Sequence, residues 1–141
     1  MNCKIVGYDF KSLEVLLEQG DAFFCERGAI VYHEDGIEKN VKNVDIDFSL
    51  NLSSLISNST LILQKISGAG TVFLDSVGSS VFIDVKAGTS VYVDEKHFLC
   101  INAGAINQLN STFSGRGFLA GEGLSMYQIS GPAKVYVTTQ N

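Results

Sequence analysis

Three kinds of side chain in this 141-residue sequence have chemistry beyond packing: three cysteines (Cys3, Cys25, Cys100), two histidines (His33, His97) and fifteen acidic residues. A zinc site needs three or four N, S or O donors converging within about 2.0–2.3 Å of the metal. His97 and Cys100 are three positions apart, and on a strand an odd spacing sends side chains to opposite faces. Cys25 and His33 would meet only through an intervening turn. No metal centre and no cofactor are expected; His97 reads as a strand-end residue and His33 as a surface residue beside Glu34 and Asp35. An odd number of widely spaced cysteines is not a disulfide framework. Reduced, mostly buried thiols are expected, packing as small hydrophobes.

Nucleophilic catalysis has no better footing. There is no Gly-x-Ser-x-Gly elbow, and no cysteine stands in an evident electropositive setting beside a histidine. Asp45 and Asp47 fall on the polar side of an alternating segment. A catalytic carboxyl pair needs surroundings that push its two pKa values apart, and a solvated face is the plainer reading. No catalytic residue is therefore expected. The run Gly115-Arg116-Gly117-Phe118-Leu119-Ala120-Gly121-Glu122-Gly123 is not a phosphate loop. Its third glycine is one position late for Gly-x-Gly-x-x-Gly, and no Lys-Ser or Lys-Thr follows. The plainer reading is a compact loop or bulge whose glycines allow positive φ or a close backbone approach; the alternative is an interface loop, because Phe118 and Leu119 are apolar and such loop residues often mark a partner surface. Gly115, Arg116, Gly117, Phe118, Leu119, Gly121, Glu122 and Gly123 thus form the candidate interface loop.

The elements that would carry these residues repeat with a period of two. Val44, Ile46, Phe48, Leu50 and Leu52 alternate with polar residues; Val81, Ile83 and Val85 form another alternating run; Val91 and Val93 flank Tyr92, and Val135 and Val137 flank Tyr136. Such alternation predicts half-buried strands. Glycines punctuate the runs at short intervals, as in a sandwich or barrel. Ser12–Gln19 fits a capped helix through Leu13, Leu16 and Leu17, and a strand through Leu13, Val15 and Leu17. The strand is preferred because the segment superposes on Val81–Val85 in an internal repeat. Leu61–Leu74 lies beside Leu124–Val137, Leu13–Gly20 on Val81–Gly88, Phe23-Phe24-Cys25 on Val91-Tyr92-Val93, and Ile30-Val31 on Phe98-Leu99. The expectation is one domain over 1–141 with repeats of approximately 1–76 and 77–141 sharing one core.

Composition bounds the partners. Apolar residues make up 45% of the chain and charged residues 18%, with a net charge of −5. A phosphate backbone is bound by clustered Lys and Arg, so no nucleic-acid partner is expected. The longest apolar runs, such as Val91–Val93 and Phe98–Ile101, fall far short of the roughly 20 residues of a membrane span, so no direct membrane insertion is expected. The first residues show neither an apolar h-region nor a small-residue cleavage site, and the cytoplasm is the default compartment.

Several segments resemble the altered inheritance of mitochondria protein 24 family, a widespread group of largely unknown function. Cys25-Glu26-Arg27-Gly28-Ala29-Ile30-Val31-Tyr32 is similar to its E-P-G-A-M-V-Y run, and Ala87-Gly88-Thr89-Ser90-Val91-Tyr92-Val93-Asp94 to its P-G-E-x-L-x-V-D strand. Gly121-Glu122-Gly123-Leu124, followed by Ile129-Ser130-Gly131-Pro132-Ala133-Lys134-Val135, resembles its C-terminal signature, and Gln140 sits near its closing Q-T. The resemblance implies a β-sandwich similar to the tryptophan RNA-binding attenuation protein. Longer relatives carry about three such units and this chain two. RNA binding is not implied, because fold does not determine function.

The expected fold is all-β: a two-repeat sandwich or jelly-roll-like barrel of about 10–12 short strands. Sheet edges need protection, and a second copy of the chain supplies it. The leading functional expectation is a non-enzymatic, self-associating scaffold or binding module, a homo-oligomer with scope for a further protein partner. The alternative is a small-molecule-binding sandwich with Tyr8, Tyr32, Tyr92, Tyr127 and Tyr136 as polar handles. A cupin-like metal enzyme is the weakest reading, since it needs more histidines than two.

Overall fold

A computed structural model describes residues 1–8, 12–44, 61–75, 79–113 and 125–139. They form thirteen strands: β1 (Asn2–Val6), β2 (Ser12–Leu17), β3 (Ala22–Glu26), β4 (Ile30–His33), β5 (Ile37–Val44), β6 (Leu61–Gly68), β7 (Gly70–Asp75), β8 (Ser79–Val85), β9 (Ser90–Asp94), β10 (Phe98–Asn102), β11 (Leu109–Phe113), β12 (Ser125–Ser130) and β13 (Ala133–Thr139). Two short 3-10 turns, Glu95–His97 and Ala103–Gln108, flank β10. The fold is an all-β sandwich. Ser12–Leu17 is a strand: Leu13, Val15 and Leu17 are buried while Leu16 is exposed. Period two decides here because β1 and β7 pair with both edges of this segment. The alternation that starts at Val44 runs out of β5 and lies otherwise outside the described residues.

The strands form three antiparallel sheets, ordered β1-β2-β7-β4, β5-β6-β3-β10-β13-β8 and β11-β12-β9. Two apolar clusters join them. One gathers Leu13, Val15, Val72 and Leu74 of the first sheet against Phe23, Cys25, Leu99 and Cys100 of the six-stranded sheet. The other gathers Val93, Tyr127 and Ile129 of the third sheet against Phe24, Ile101 and Val135. The central strands β3 and β10 are therefore covered on both faces. Strands buried on both faces read as continuous apolar runs, and Ala22-Phe23-Phe24-Cys25 and Phe98-Leu99-Cys100-Ile101 do so. Full burial of one such side chain contributes about 1.5–3 kcal/mol.

The pairing scheme occurs twice. β2 pairs β7 through Leu13↔Leu74 and Val15↔Val72; β8 pairs β13 through Val81↔Val137 and Ile83↔Val135. β3 pairs β6 through Phe23↔Ile66 and Cys25↔Gln64; β9 pairs β12 through Val91↔Ile129 and Val93↔Tyr127. β4 pairs β7 with a register shift between Ile30 and Tyr32, and β10 pairs β13 with one between Phe98 and Cys100. β5 on β6 corresponds to β11 on β12. Even a side-chain clip recurs: Glu34 Oε1 accepts the Thr71 N–H at 3.2 Å, and Asn102 Oδ1 accepts the Lys134 N–H at 2.9 Å. The six strands β2–β7 thus correspond in order to β8–β13. In one respect they differ. β10 is paired on both sides, to β13 and to β3, whereas β4 is paired among the described residues to β7 alone.

Candidate functional site

The site that stands out geometrically is the side of β4 that has no strand partner among the described residues. Gly28, at φ +86°, turns the chain out of β3, and the Ala29 N–H donates to the Glu26 carbonyl at 3.3 Å. The Ala29 carbonyl accepts the Asp75 N–H at 2.7 Å. Beyond β4, the Glu34 N–H donates to the Thr71 carbonyl and the Ile37 N–H to the Glu34 carbonyl, at 3.0 and 3.2 Å. Both ends of β4 are thereby fixed to the body of the protein. Tyr32 stacks on Phe73 with ring centroids 4.8 Å apart. Along the free side lies an open groove of about 480 Å³ lined by Gly28, Ile30, Val31, Tyr32, His33, Lys39 and Gln64.

The groove's chemistry is that of binding. It offers an aromatic and an aliphatic wall, an ammonium, an amide and an imidazole whose Nδ1 lies 2.9 Å from the Glu34 carbonyl. Its lining includes no carboxylate, serine, threonine or cysteine. It also borders the edge of β4 that has no strand partner among the described residues, and the backbone N–H and C=O groups of such an edge are a template for another strand.

A second cluster is one that the sequence did not suggest. Cys25 and Cys100 are direct cross-strand partners between β3 and β10, and Cys3 of β1 joins the same apolar cluster beside Tyr136. All three are free thiols. Burial pushes the Cys25 thiol up to about 12 and raises the Cys100 thiol well above the ordinary thiol value, with neighbouring thiols adding to the rise at Cys100. Burial also raises Cys3, partly offset by its hydrogen bond with Tyr136. Thiolates are the reactive form, so these groups are packing residues at neutral pH. Among the described residues no group of three or more His, Cys, Asp and Glu is arranged to hold a metal ion.

Of the residues singled out by sequence, the candidate interface loop (Gly115, Arg116, Gly117, Phe118, Leu119, Gly121, Glu122, Gly123) and Asp45 and Asp47 lie outside the described residues. His97 sits in a 3-10 turn ahead of β10, its Nδ1 2.6 Å from the Thr138 carbonyl. The five tyrosines do not converge. Tyr127 is buried edge-on to Phe98, Tyr136 packs with Phe82 and Cys3, Tyr8 and Tyr92 are exposed, and Tyr32 alone lines the groove. Sequence reasoning missed β4 and β9 as exposed edges. No residue pattern marked them: Ile30-Val31-Tyr32 and Val91-Tyr92-Val93 are continuous apolar runs of the kind that β3 and β10 bury on both faces.

A family model described as mitochondrial biogenesis AIM24 matches residues 40–140. Among solved structures, the X-ray crystal structure of a Streptococcus pyogenes protein aligns over 99% of this chain and 94% of its own length, at 16% identity and a TM-score of 0.45. No curated protein matches the chain.

Proposed function

This chain belongs to the mitochondrial biogenesis AIM24 family, a family without an assigned biochemical activity, and from that premise we propose that it is a non-enzymatic, self-associating scaffold made of a duplicated six-strand unit. One observation carries the reading. Among the described residues, six of the nine exposed large apolar side chains (Ile5, Val31, Tyr32, Val81, Phe82 and Tyr92) lie on β1, β4, β8 and β9, each a terminal strand of its sheet among those residues. Proteins that remain monomeric blunt such edges with lysines, prolines or bulges. Apolar edges instead invite a partner, and the shared chemistry of all four is strand addition. The net charge of −5 favours a protein partner over a polyanion. Sedimentation velocity at micromolar concentration tests the proposal: a discrete oligomer is expected, and a strict monomer overturns it.

The groove beside β4 favours one second reading, a small amphipathic ligand held against Tyr32 with Lys39 and Gln64 as polar contacts. Native mass spectrometry of the purified protein separates the two. A retained metabolite supports the ligand; apo oligomers support the scaffold. No helix among the described residues is long and apolar enough to cross a membrane.

A further inference from the structure

The two halves meet within the six-stranded sheet at one seam, where β10 pairs with β3 through Cys100↔Cys25, Ile101↔Phe24 and Asn102↔Phe23. β10 corresponds to β4, and β3 corresponds to β9. The seam's counterpart would therefore be β4 against β9. Within the chain that counterpart is absent among the described residues: β4 ends the first sheet and β9 ends the third. A two-fold relation between the halves would have brought β4 and β9 together in the same chain. The step from one half to the next is therefore left open at both ends.

Burial follows the same correspondence. Leu99 and Cys100 are 4% and 1% exposed, but their counterparts Val31 and Tyr32 are 61% and 49% exposed. Phe24 is 6% exposed, and its counterpart Tyr92 is 60% exposed. Leu99 and Cys100 close the cluster around Phe23 and Leu74, which are wholly buried. In the other half the counterparts of those two residues, Val91 and Val137, are only partly buried. The second half thus lacks the two side chains that complete the first, and the first half displays two such side chains on a free edge.

We propose that β4 of one copy adds to β9 of a second copy, pairing Tyr32 with Val93 and His33 with Tyr92 in the register that joins Cys100 to Cys25 and Ile101 to Phe24 inside the chain. This deepens the self-association reading and rests on it. The occupant of the groove beside β4 is then the β9 strand of the next copy, standing where β3 stands beside β10. The contact is heterologous, head to tail. It gives a closed ring if the step closes and an open chain if it does not.

The test uses two single variants of the full chain, His33→Cys and Tyr92→Cys, both at positions outside the buried cores. Each is incubated alone and then mixed with the other under a disulfide oxidant such as oxidised glutathione. Two engineered thiols lose two protons and two electrons to the oxidant, which is reduced to two thiols. The products are separated by non-reducing electrophoresis, with the wild-type chain as background for the buried thiols. The mixture is expected to give a covalent dimer and each variant alone none, while sedimentation shows an oligomer throughout. A variant that cross-links to itself overturns the head-to-tail seam in favour of an isologous contact. An oligomer whose mixture fails to cross-link overturns the seam but leaves self-association standing. A monomer overturns both.

Discussion

Cys25 and Cys100 face each other at the seam between the two halves of the chain, seventy-five positions apart in sequence and directly opposed across β3 and β10. Cys100 also pairs with Tyr136 on its other side, and the Tyr136 hydroxyl bonds to Cys3. A row of thiols and one phenol thus runs across the interior where the first sheet packs on the second. Its thiols are small and adaptable, which suits a place where four strands from both halves must fit together.

The first prediction follows from the burial of those thiols. In the folded chain Cys25 ionises only near 12, against 9.0 for an ordinary thiol. Between those limits the folded state keeps a proton that the unfolded state has lost. Stability is full below pH 9 and falls as pH rises towards 12, by about 1.4 kcal/mol per pH unit for each such thiol. Cys100 acts in the same direction. Urea titrations from pH 8 to 11 should show this decline, and Cys25→Ala should make it shallower.

The same burial predicts an order of alkylation. With iodoacetamide at neutral pH, half-buried Cys3 should be modified first. Cys25 and Cys100 should react only at the rate of unfolding. Mass spectrometry after tryptic digestion reads the order directly, and rapid labelling of Cys100 in the folded protein would contradict it.

Two glycines separate steric from conformational cost. A Cβ on Gly131 would collide with the Lys86 carbonyl, and one on Gly68 with the Gly36 carbonyl; Gly20 has open space around it but a φ of +94°. Gly20→Ala should cost about 1–2 kcal/mol, the penalty of a left-handed backbone. Gly131→Ala forces backbone apart and should cost more than about 3 kcal/mol, above the range of most single substitutions. Denaturant midpoints at unchanged slope give both values.

How far the sequence discloses this molecule depends on distance along the chain. Local patterns are legible: Leu13, Val15 and Leu17 alternate because one face of β2 is buried, and the repeat aligns Leu13 with Val81 without any coordinates. The all-β class and the family motifs were readable for the same reason. The convergence of Cys3, Cys25 and Cys100 was not, because it depends on the β3–β10 register that sets Cys100 opposite Cys25 and on the β10–β13 pairing, shifted between Phe98 and Cys100, that sets Cys100 opposite Tyr136, and no residue pattern marks either. Tyr127 illustrates the opposite error. A tyrosine reads as a polar handle, yet its ring is core, edge-on to Phe98. The exposure of Val31 and Tyr92 was hidden because a run suited to two-face burial looks the same whether or not its cover is present.

The last prediction contrasts two aromatic residues that the repeat places close in register, Phe23 on a central strand and Tyr92 on an edge. Phe23 is wholly buried, and Phe23→Ala should destabilise the chain by about 3–5 kcal/mol through lost transfer energy and a cavity. Tyr92 is exposed on β9, so Tyr92→Glu should leave the isolated protomer within about 0.5 kcal/mol of wild type. Its effect should fall on assembly. Anything that binds only the native state raises apparent stability by mass action, so the wild-type Tm should rise with protein concentration. In Tyr92→Glu the seam must strip water from a carboxylate that faces only the His33 imidazole, a desolvation cost that opposes association, and Tm should become independent of concentration. Calorimetry over a hundredfold range of concentration checks both slopes. A wild-type Tm that does not move with concentration would show that exposed edges on β4 and β9 are not completed by a second copy.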